Sequence, residues 1–343
     1  MLSYVYYLVA DYERSLEYRE RALAIRQEIG QVARAAEDLT DMGVLHGQLH
    51  RFSEAKRYLE QALRLARQIG SRPAESYALN NTGNLHYIMG EYQAALECYH
   101  ASLDLQRATG SRRGEASCLN NIGMTLLQLG VYEGAEEALR KALAIDEEIG
   151  YRSGKVEALS HLARVFAAQG KESLAQEAAT RSLALAEEIG DRAGQVMALN
   201  TLAHLRLKGF DDVGKALEYA RKATQLAEEI GNLSGCIQGW AYQGLAHLTL
   251  GDAQTAHRCT GEAVALLARC GSIEGPEEAI YFAHYRASLA CGMADEADVY
   301  LRMAGDEVER KARGIADKAL RRAFLESNRE ILSCVSIESA HSF

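Results

Sequence analysis

The sequence is poor in residues that interrupt helices and in long apolar runs. It has two prolines in 343 residues, and no apolar stretch approaches the roughly 20 residues that a helix needs to cross a bilayer. Its first residues lack the basic leader and the cleavage site of a signal peptide. These absences predict a cytoplasmic protein with no membrane partner.

The chain also lacks the motifs of most catalytic and cofactor-binding sites. It has no Gly-x-x-x-x-Gly-Lys-Ser/Thr phosphate loop, none of its seven cysteines forms Cys-x-x-Cys, and no spacing suggests a Ser–His–Asp triad. Its formal net charge of −9 disfavours nucleic acid, which needs a basic face. We therefore expect reduced, mostly buried thiols, no enzyme activity, no catalytic residue, no metal, no cofactor and no nucleic-acid partner.

Helix-forming residues dominate, and no run alternates Val, Ile and Thr as strands do, so the sequence predicts an all-α protein. A glycine that suits the left-handed end of a helix recurs in steps of 40 residues, with a single step of 41. These glycines are Gly30, Gly70, Gly110, Gly150, Gly190, Gly231 and Gly271. Each step therefore predicts one helical unit.

Two further columns of small residues share this period. One lies in the first helix of each unit and comprises Gly43, Gly83, Gly123, Ala163, Ala203 and Gly244. The other lies in the second helix and comprises Ala55, Ala95, Ala135, Ala175, Ala216, Ala256 and Ala297. Because glycine inside a helix costs about 1 kcal/mol relative to alanine, its repetition predicts a close crossing of two helices.

These columns resemble the tetratricopeptide repeat, most fully in LNNTGNLHYIMGEYQAALECYHAS at 79–102. The 40-residue form is similar to kinesin light chain and to the arrays of bacterial signalling ATPases of the STAND and AAA types, cyclases and transcriptional regulators. HEAT and armadillo repeats share the period but not this Gly–Ala–Ala spacing. The resemblance implies a right-handed superhelical solenoid of antiparallel helix pairs, with the first helices lining a concave groove.

We expect about seven repeats, a partial first repeat and a C-terminal capping helix. The predicted solenoid covers 1–304, in repeats at about 1–30, 31–70, 71–110, 111–150, 151–190, 191–231, 232–271 and 272–304. A capping helix region follows at 305–334, and a frayed tail at 335–343. The first unit has only residues 1–9 for its first helix, so we expect a partner or an upstream domain of the same longer chain to cover its apolar face.

Paired asparagines before the small residue of the first helix are the strongest candidates for a binding site. An amide offers both a donor and an acceptor, so stacked asparagines could hold a peptide main chain without reading its sequence. In kinesin light chain a comparable asparagine series binds cargo peptides, which is what the resemblance implies here. The predicted groove residues are Asn81, Asn121, Asn84, Asn80, Asn120, Tyr77, His161, Arg164, Asn200 and His204. The sequence leaves open the alternative that these amides cap or bridge neighbouring helices.

Other periodic side chains have simpler explanations. His46, His86 and His247 share one column, which predicts ring packing rather than a metal site. The sequence thus favours a scaffold or adaptor that binds an extended peptide, or a domain of an unidentified protein partner, in the groove. The alternative function is a C-terminal regulatory or sensor array of a larger signalling ATPase, cyclase or transcriptional regulator.

Overall fold

The computed structural model describes residues 2–8, 11–209, 212–273 and 275–341, and within these ranges all regular structure is helical, as predicted. Paired helices are separated by turns of about three residues, which makes them antiparallel neighbours. The first eight helices are α1 (Leu2–Leu8), α2 (Tyr12–Glu28), α3 (Val32–Gln48), α4 (Phe52–Gln68), α5 (Arg72–Ile88), α6 (Tyr92–Ala108), α7 (Arg112–Gln128) and α8 (Tyr132–Glu148). The next eight are α9 (Arg152–Ala168), α10 (Glu172–Ile189), α11 (Arg192–Gly209), α12 (Val213–Ile230), α13 (Leu233–Thr249), α14 (Ala253–Cys270), α15 (Glu277–Ala290) and α16 (Ala294–Arg313). The chain closes with α17 (Lys318–Ser327) and α18 (Arg329–His341).

The chain divides into two compact units, Met1–Thr125 and Leu126–Phe343. In each unit the first helix of a pair packs on its second helix and on the second helix of the preceding pair. First helices of successive pairs also pack on one another, as α3 does on α5 in the first unit and α9, α11, α13 and α15 do in the second. Second helices of successive pairs meet far less, so the first helices of each unit form a continuous layer.

The small-residue columns lie where two helices cross most closely, as predicted. A β-carbon on Gly43 would stand 2.6 Å from Leu59 Cγ, and one on Gly244 would stand 2.4 Å from Thr260 Cγ2. Ala55 in the opposing helix is fully buried. Because neither site has room for a methyl group, glycine allows the helices of a pair to approach.

The helix-ending glycines adopt the left-handed conformation that their spacing predicted, with φ from +67° to +79°. The turns inside several other pairs have a left-handed residue too, which is glycine at Gly90, Gly130 and Gly170. The corresponding residue of the α3–α4 turn is His50, whose φ is +56°. A side chain at such a φ is strained, since its β-carbon crowds the following carbonyl oxygen.

The helices at the C-terminal end do not stop at the predicted boundaries. Helix α16 continues through residue 304, because Ala297, Leu301, Ala304 and Val308 form one buried stripe along it. Helix α18 continues to His341 and so includes most of the predicted frayed tail at 335–343. Its Val335 packs beside Gly305, which gives this segment an apolar contact. The repeat boundary at 304 is therefore not a helix boundary.

Two expectations about side chains and membranes can also be compared with the structure. All seven cysteines are free thiols, four of them buried. Among the described residues, the helices are either too short or too polar to cross a bilayer.

Candidate peptide-binding surface

Three of the predicted asparagines meet in the first unit and form what we call the amide cluster: Asn80, Asn84 and Asn121. The side-chain nitrogen Nδ2 of Asn121, on α7, donates to Asn80 Oδ1 at 3.1 Å and to Asn84 Oδ1 at 3.2 Å, both on α5. All three side chains are half-buried. The cluster therefore joins the first helices of two successive pairs and remains within reach of solvent.

A buried tyrosine supports the cluster through a hydrogen bond. The hydroxyl of Tyr99, on α6, donates to Asn84 Oδ1 at 2.9 Å, and its side chain is fully buried. A β-carbon on Gly83 would stand 2.5 Å from the Tyr99 ring, so the missing side chain of Gly83 makes room for this ring. The small-residue column thus positions the amide of the next residue, Asn84.

Atoms of the cluster remain available to a ligand. In the part of the chain that the structure describes, the oxygens of Asn80 and Asn84 accept from Asn121, whereas their own Nδ2 groups make no hydrogen bond. The Oδ1 of Asn121 likewise has no donor among the described residues. The cluster can therefore offer two donors and one acceptor to a bound main chain.

Tyr77 and Asn81 lie on the same helix, α5, beside the cluster. Asn81 Nδ2 donates to the carbonyl of Tyr77 at 2.9 Å, which leaves its oxygen available. The ring of Tyr77 is exposed, and its hydroxyl donates to Asp41 Oδ1 at 2.6 Å. Asp41 in turn pairs with Arg19 at 2.8 Å. Tyr77 is therefore fixed at one end while its ring faces solvent.

Two other predicted residues lie inside the packed layers. Asn120 and Asn200 are 6% and 3% exposed, and Asn200 Nδ2 donates to the carbonyl of Gly235 on the next first helix at 3.1 Å. Their column stands one residue before that of Asn81 and Asn121, and one residue turns a helix by about 100°. In these two helices the rotation points the side chain at the packed neighbours, so Asn120 and Asn200 do not present their side chains to a ligand at the surface, whereas Asn80 of the same column stays half-buried.

The remaining predicted residues form a second group in the second unit. His161 is buried, which, together with the charge of Arg164, lowers its pKa to about 3. Desolvation, followed by the charges of Lys208 and Arg164, lowers the pKa of His204 to about 4. The ring of His204 packs on Tyr242, with 5.7 Å between the ring centroids. Both imidazoles are therefore neutral at physiological pH, and Arg164 is the charged member of the group.

These lowered pKa values predict acid sensitivity. The folded state binds fewer protons than the unfolded chain between pH 6.5 and the folded pKa values, so stability should fall as pH decreases through this window. One such histidine contributes up to about 1.4 kcal/mol per pH unit. We expect His161→Gln to flatten the fall between about pH 7 and pH 5 in urea titrations followed by Trp240 fluorescence. Equal slopes for the variant and the wild type would contradict the assignment.

The sequence reasoning missed the residues that support the cluster. Tyr99 and Arg19 lie on second helices, α6 and α2, whereas the predicted groove is lined by first helices. A signal for Tyr99 was present, because it occupies the second-helix column that faces the small residue of the first helix, as Leu59 does opposite Gly43. No comparable periodic signal marks Arg19.

The sequence was compared with protein-family models and with curated proteins. The tetratricopeptide repeat family model matches residues 1–68 and 75–148. No curated protein matches the sequence.

Three solved structures illustrate the likeness. A Rap protein complexed with competence and sporulation factor is 13% identical, with 99% of each chain covered and a TM-score of 0.62. The apo form of the quorum sensor NprR from B. thuringiensis is 16% identical, covering 88% of this chain and 86% of that one, with a TM-score of 0.62. A STAND protein with a tetratricopeptide repeat sensor from Pyrococcus horikoshii is 14% identical, covering 97% of this chain and 50% of that one, with a TM-score of 0.54. At these identities the likeness shows the fold alone.

Proposed function

Because the chain is a tetratricopeptide-repeat protein, we propose that it is an adaptor whose first-helix surface, in the first unit, binds an extended segment of a partner protein. The observation that carries this proposal is the amide cluster. Asn80, Asn84 and Asn121 fix one another by hydrogen bonds and retain two donors and one acceptor at the surface. No chemistry is required of this surface beyond shape and hydrogen bonding.

The geometry suits a peptide main chain better than a particular side chain. An extended peptide presents carbonyl and N–H groups in alternation, and the cluster offers both complementary kinds of group. Since the three amides are already held in place, binding orders few additional side chains, which lowers its entropic cost. Affinity would therefore depend weakly on the peptide sequence at this point.

Specificity would come from neighbouring side chains. The exposed ring of Tyr77, held by Asp41 through its hydroxyl, provides a flat apolar face beside the cluster. Aromatic side chains with few freely rotating bonds are efficient anchors at protein interfaces. We therefore expect preferred peptides to place an apolar or aromatic residue against Tyr77.

The structural neighbours support a ligand-binding role. One is a Rap protein complexed with competence and sporulation factor, and another is a quorum sensor. Arrays of this fold thus include one that is complexed with a factor and one that is a quorum sensor, which favours the binding role proposed here.

A displayed library of random peptides, selected on the full chain, tests the proposal. We expect Asn81→Ala/Asn121→Ala to weaken the best selected peptide at least tenfold in fluorescence anisotropy, because the variant removes acceptors and loosens the cluster. Methylating the backbone nitrogens of that peptide should weaken binding similarly, since it removes main-chain donors.

A matched control removes an exposed amide elsewhere. Gln68 lies near the end of α4, on a second helix of the same unit, and Gln68→Ala should leave the affinity unchanged. Circular dichroism should show that all variants are folded at the assay temperature. Failure to select any peptide, or equal affinity for the double variant and the wild type, would refute the proposal.

A sensor role within a longer signalling protein is the second candidate. It is supported by the STAND protein from Pyrococcus horikoshii, of which a comparable array forms about half. An antibody against this chain would test it in the source organism. On a denaturing gel, a band of the endogenous protein well above the mass of a 343-residue chain supports the sensor role, and a band at that mass opposes it.

A further inference from the structure

Helices α14, α15 and α16 bring together two histidines and a glutamate that the proposed function does not use. His257 Nε2 lies 2.7 Å from Glu296 Oε2, and His284 Nε2 lies 3.6 Å from Glu296 Oε1. One ligand atom from each of the three residues lies within 4.8 Å of the others. We propose that His257, His284 and Glu296 bind a divalent transition-metal ion of the zinc type.

The tautomer of His284 supports this assignment. The Thr260 hydroxyl donates its one proton to the carbonyl of Ala256 at 3.0 Å or of His257 at 3.2 Å. In that arrangement its oxygen accepts from His284 Nδ1, which lies 2.8 Å away. With the proton on Nδ1, Nε2 of the neutral ring turns a lone pair towards Glu296 Oε1, 3.6 Å away. A cation between these two groups can then bind to both of them.

This hydrogen bond from Nδ1 is the arrangement that orients metal-binding histidines. Such a partner fixes the ring and makes the other nitrogen a better ligand. A second supporting bond comes from Ser288, whose hydroxyl donates to Glu296 Oε2 at 3.1 Å.

One ligand separation already suits a small tetrahedral ion, and the other two must adjust. Zinc bonds of 2.0–2.2 Å place neighbouring nitrogen and oxygen ligands about 3.4 Å apart. The separation of His284 Nε2 from Glu296 Oε1 is close to this value, whereas that of His257 Nε2 from Oε2 must lengthen by about 0.7 Å. The His257 proton now donated to Glu296 moves to Nδ1 through solvent, since the His257 ring is half-exposed.

Three protein ligands and partial exposure leave a fourth position for water. His284 is 2% exposed, whereas the side chains of His257 and Glu296 are 27% and 33% exposed. The edge of the Tyr300 ring packs on His284, with centroids 4.4 Å apart, and closes the inner side. An ion can thus enter from solvent and link three successive helices.

Zinc titration of the chelator-treated full chain tests the site. We expect one tightly bound zinc per chain by calorimetry, and His257→Gln and Glu296→Gln should each weaken binding at least tenfold. Both side chains are half-exposed, so these variants should fold, as circular dichroism would check. The control His247→Gln removes a similar histidine, 3.5 Å from Asp252, and should leave zinc binding unchanged.

The absorption spectrum of the cobalt-loaded protein shows whether the ion is bound by this site or by the free thiols. We expect the visible absorption of four-coordinate cobalt without the near-ultraviolet band of a cobalt–thiolate bond. A thiolate band, less than one zinc per chain, or wild-type affinity in Glu296→Gln would overturn the assignment. None of these results bears on peptide selection at the amide cluster, so the two proposals can fail separately.

Discussion

Replacing Lys311 with methionine is expected to lower the free energy of unfolding by about 3–5 kcal/mol. The Lys311 ammonium is 2% exposed and lies 2.6 Å from Glu278 Oε2 and 3.3 Å from Glu307 Oε1. Glu278 is itself 3% exposed. Removing the cation leaves a buried carboxylate without this counter-charge. The resulting loss of folding free energy is larger than the stability that the intact ion pair contributes.

Urea titration followed by Trp240 fluorescence measures this effect. Trp240 is the single tryptophan, and it packs on the buried cluster that includes Ile237 of α13 and Ile280 of α15. It therefore reports on the part of the second unit where Lys311 joins α16 to α15. The expected result is a large shift of the transition to lower urea.

Two further variants separate the buried charge from other causes. Lys141→Met removes a pair of similar geometry, 2.6 Å from Glu137, but both side chains are exposed. It should change stability by less than about 1 kcal/mol. Lys311→Met/Glu278→Leu removes both charges and should recover much of the loss. If Lys311→Met unfolded at the same urea concentration as the wild type, the buried pair would not stabilise the fold and this prediction would be wrong.

Replacing Gly83 with alanine is the second change with a large expected effect, about 1–3 kcal/mol of lost stability. The added methyl group would stand 2.5 Å from the ring of Tyr99. Tyr99 cannot swing aside easily, because it is fully buried and its hydroxyl is bonded to Asn84. This clash outweighs the gain of about 1 kcal/mol in helix propensity that alanine brings.

The same change should weaken the proposed peptide binding, because moving Tyr99 disturbs the support of the amide cluster. Circular dichroism in urea measures the stability, and fluorescence anisotropy measures the affinity for a selected peptide. Tyr99→Phe is the control for the hydroxyl alone and should cost about 1 kcal/mol. In the pair Gly83→Ala/Tyr99→Ala the small side chain at position 99 should relieve the clash. If Gly83→Ala raised stability, the close crossing would not constrain this helix.

The amide cluster illustrates what a single sequence can and cannot predict about a site. The 40-residue spacing placed Asn81 and Asn121 at equivalent positions, and it left open whether they bind a ligand or bridge helices. In the structure, Asn121 bridges to Asn80 and Asn84 through its nitrogen, while its oxygen remains available. Which atoms of an amide remain available depends on where neighbouring helices place their donors, and that is not encoded in the spacing.

Residues far apart in sequence were the hardest to predict. His257, His284 and Glu296 come from three helices and form no local motif, since 27 and 12 residues separate them. His46 and His247 share a column of the repeat and are therefore visible in the sequence, although neither belongs to this cluster. Periodicity detects positions that repeat, and a site built once in the array does not repeat.

By itself the sequence determined the helix pairs, their length and their closest crossings. These depend on local rules that apply in every unit. A left-handed backbone at the helix end favours glycine, and a close helix crossing requires a small residue. Only the tertiary structure decided which polar side chains face solvent, which charges are buried together, and which histidines meet. Those outcomes depend on the rotation of each helix against its neighbours, where a change of one residue turns a side chain by about 100°.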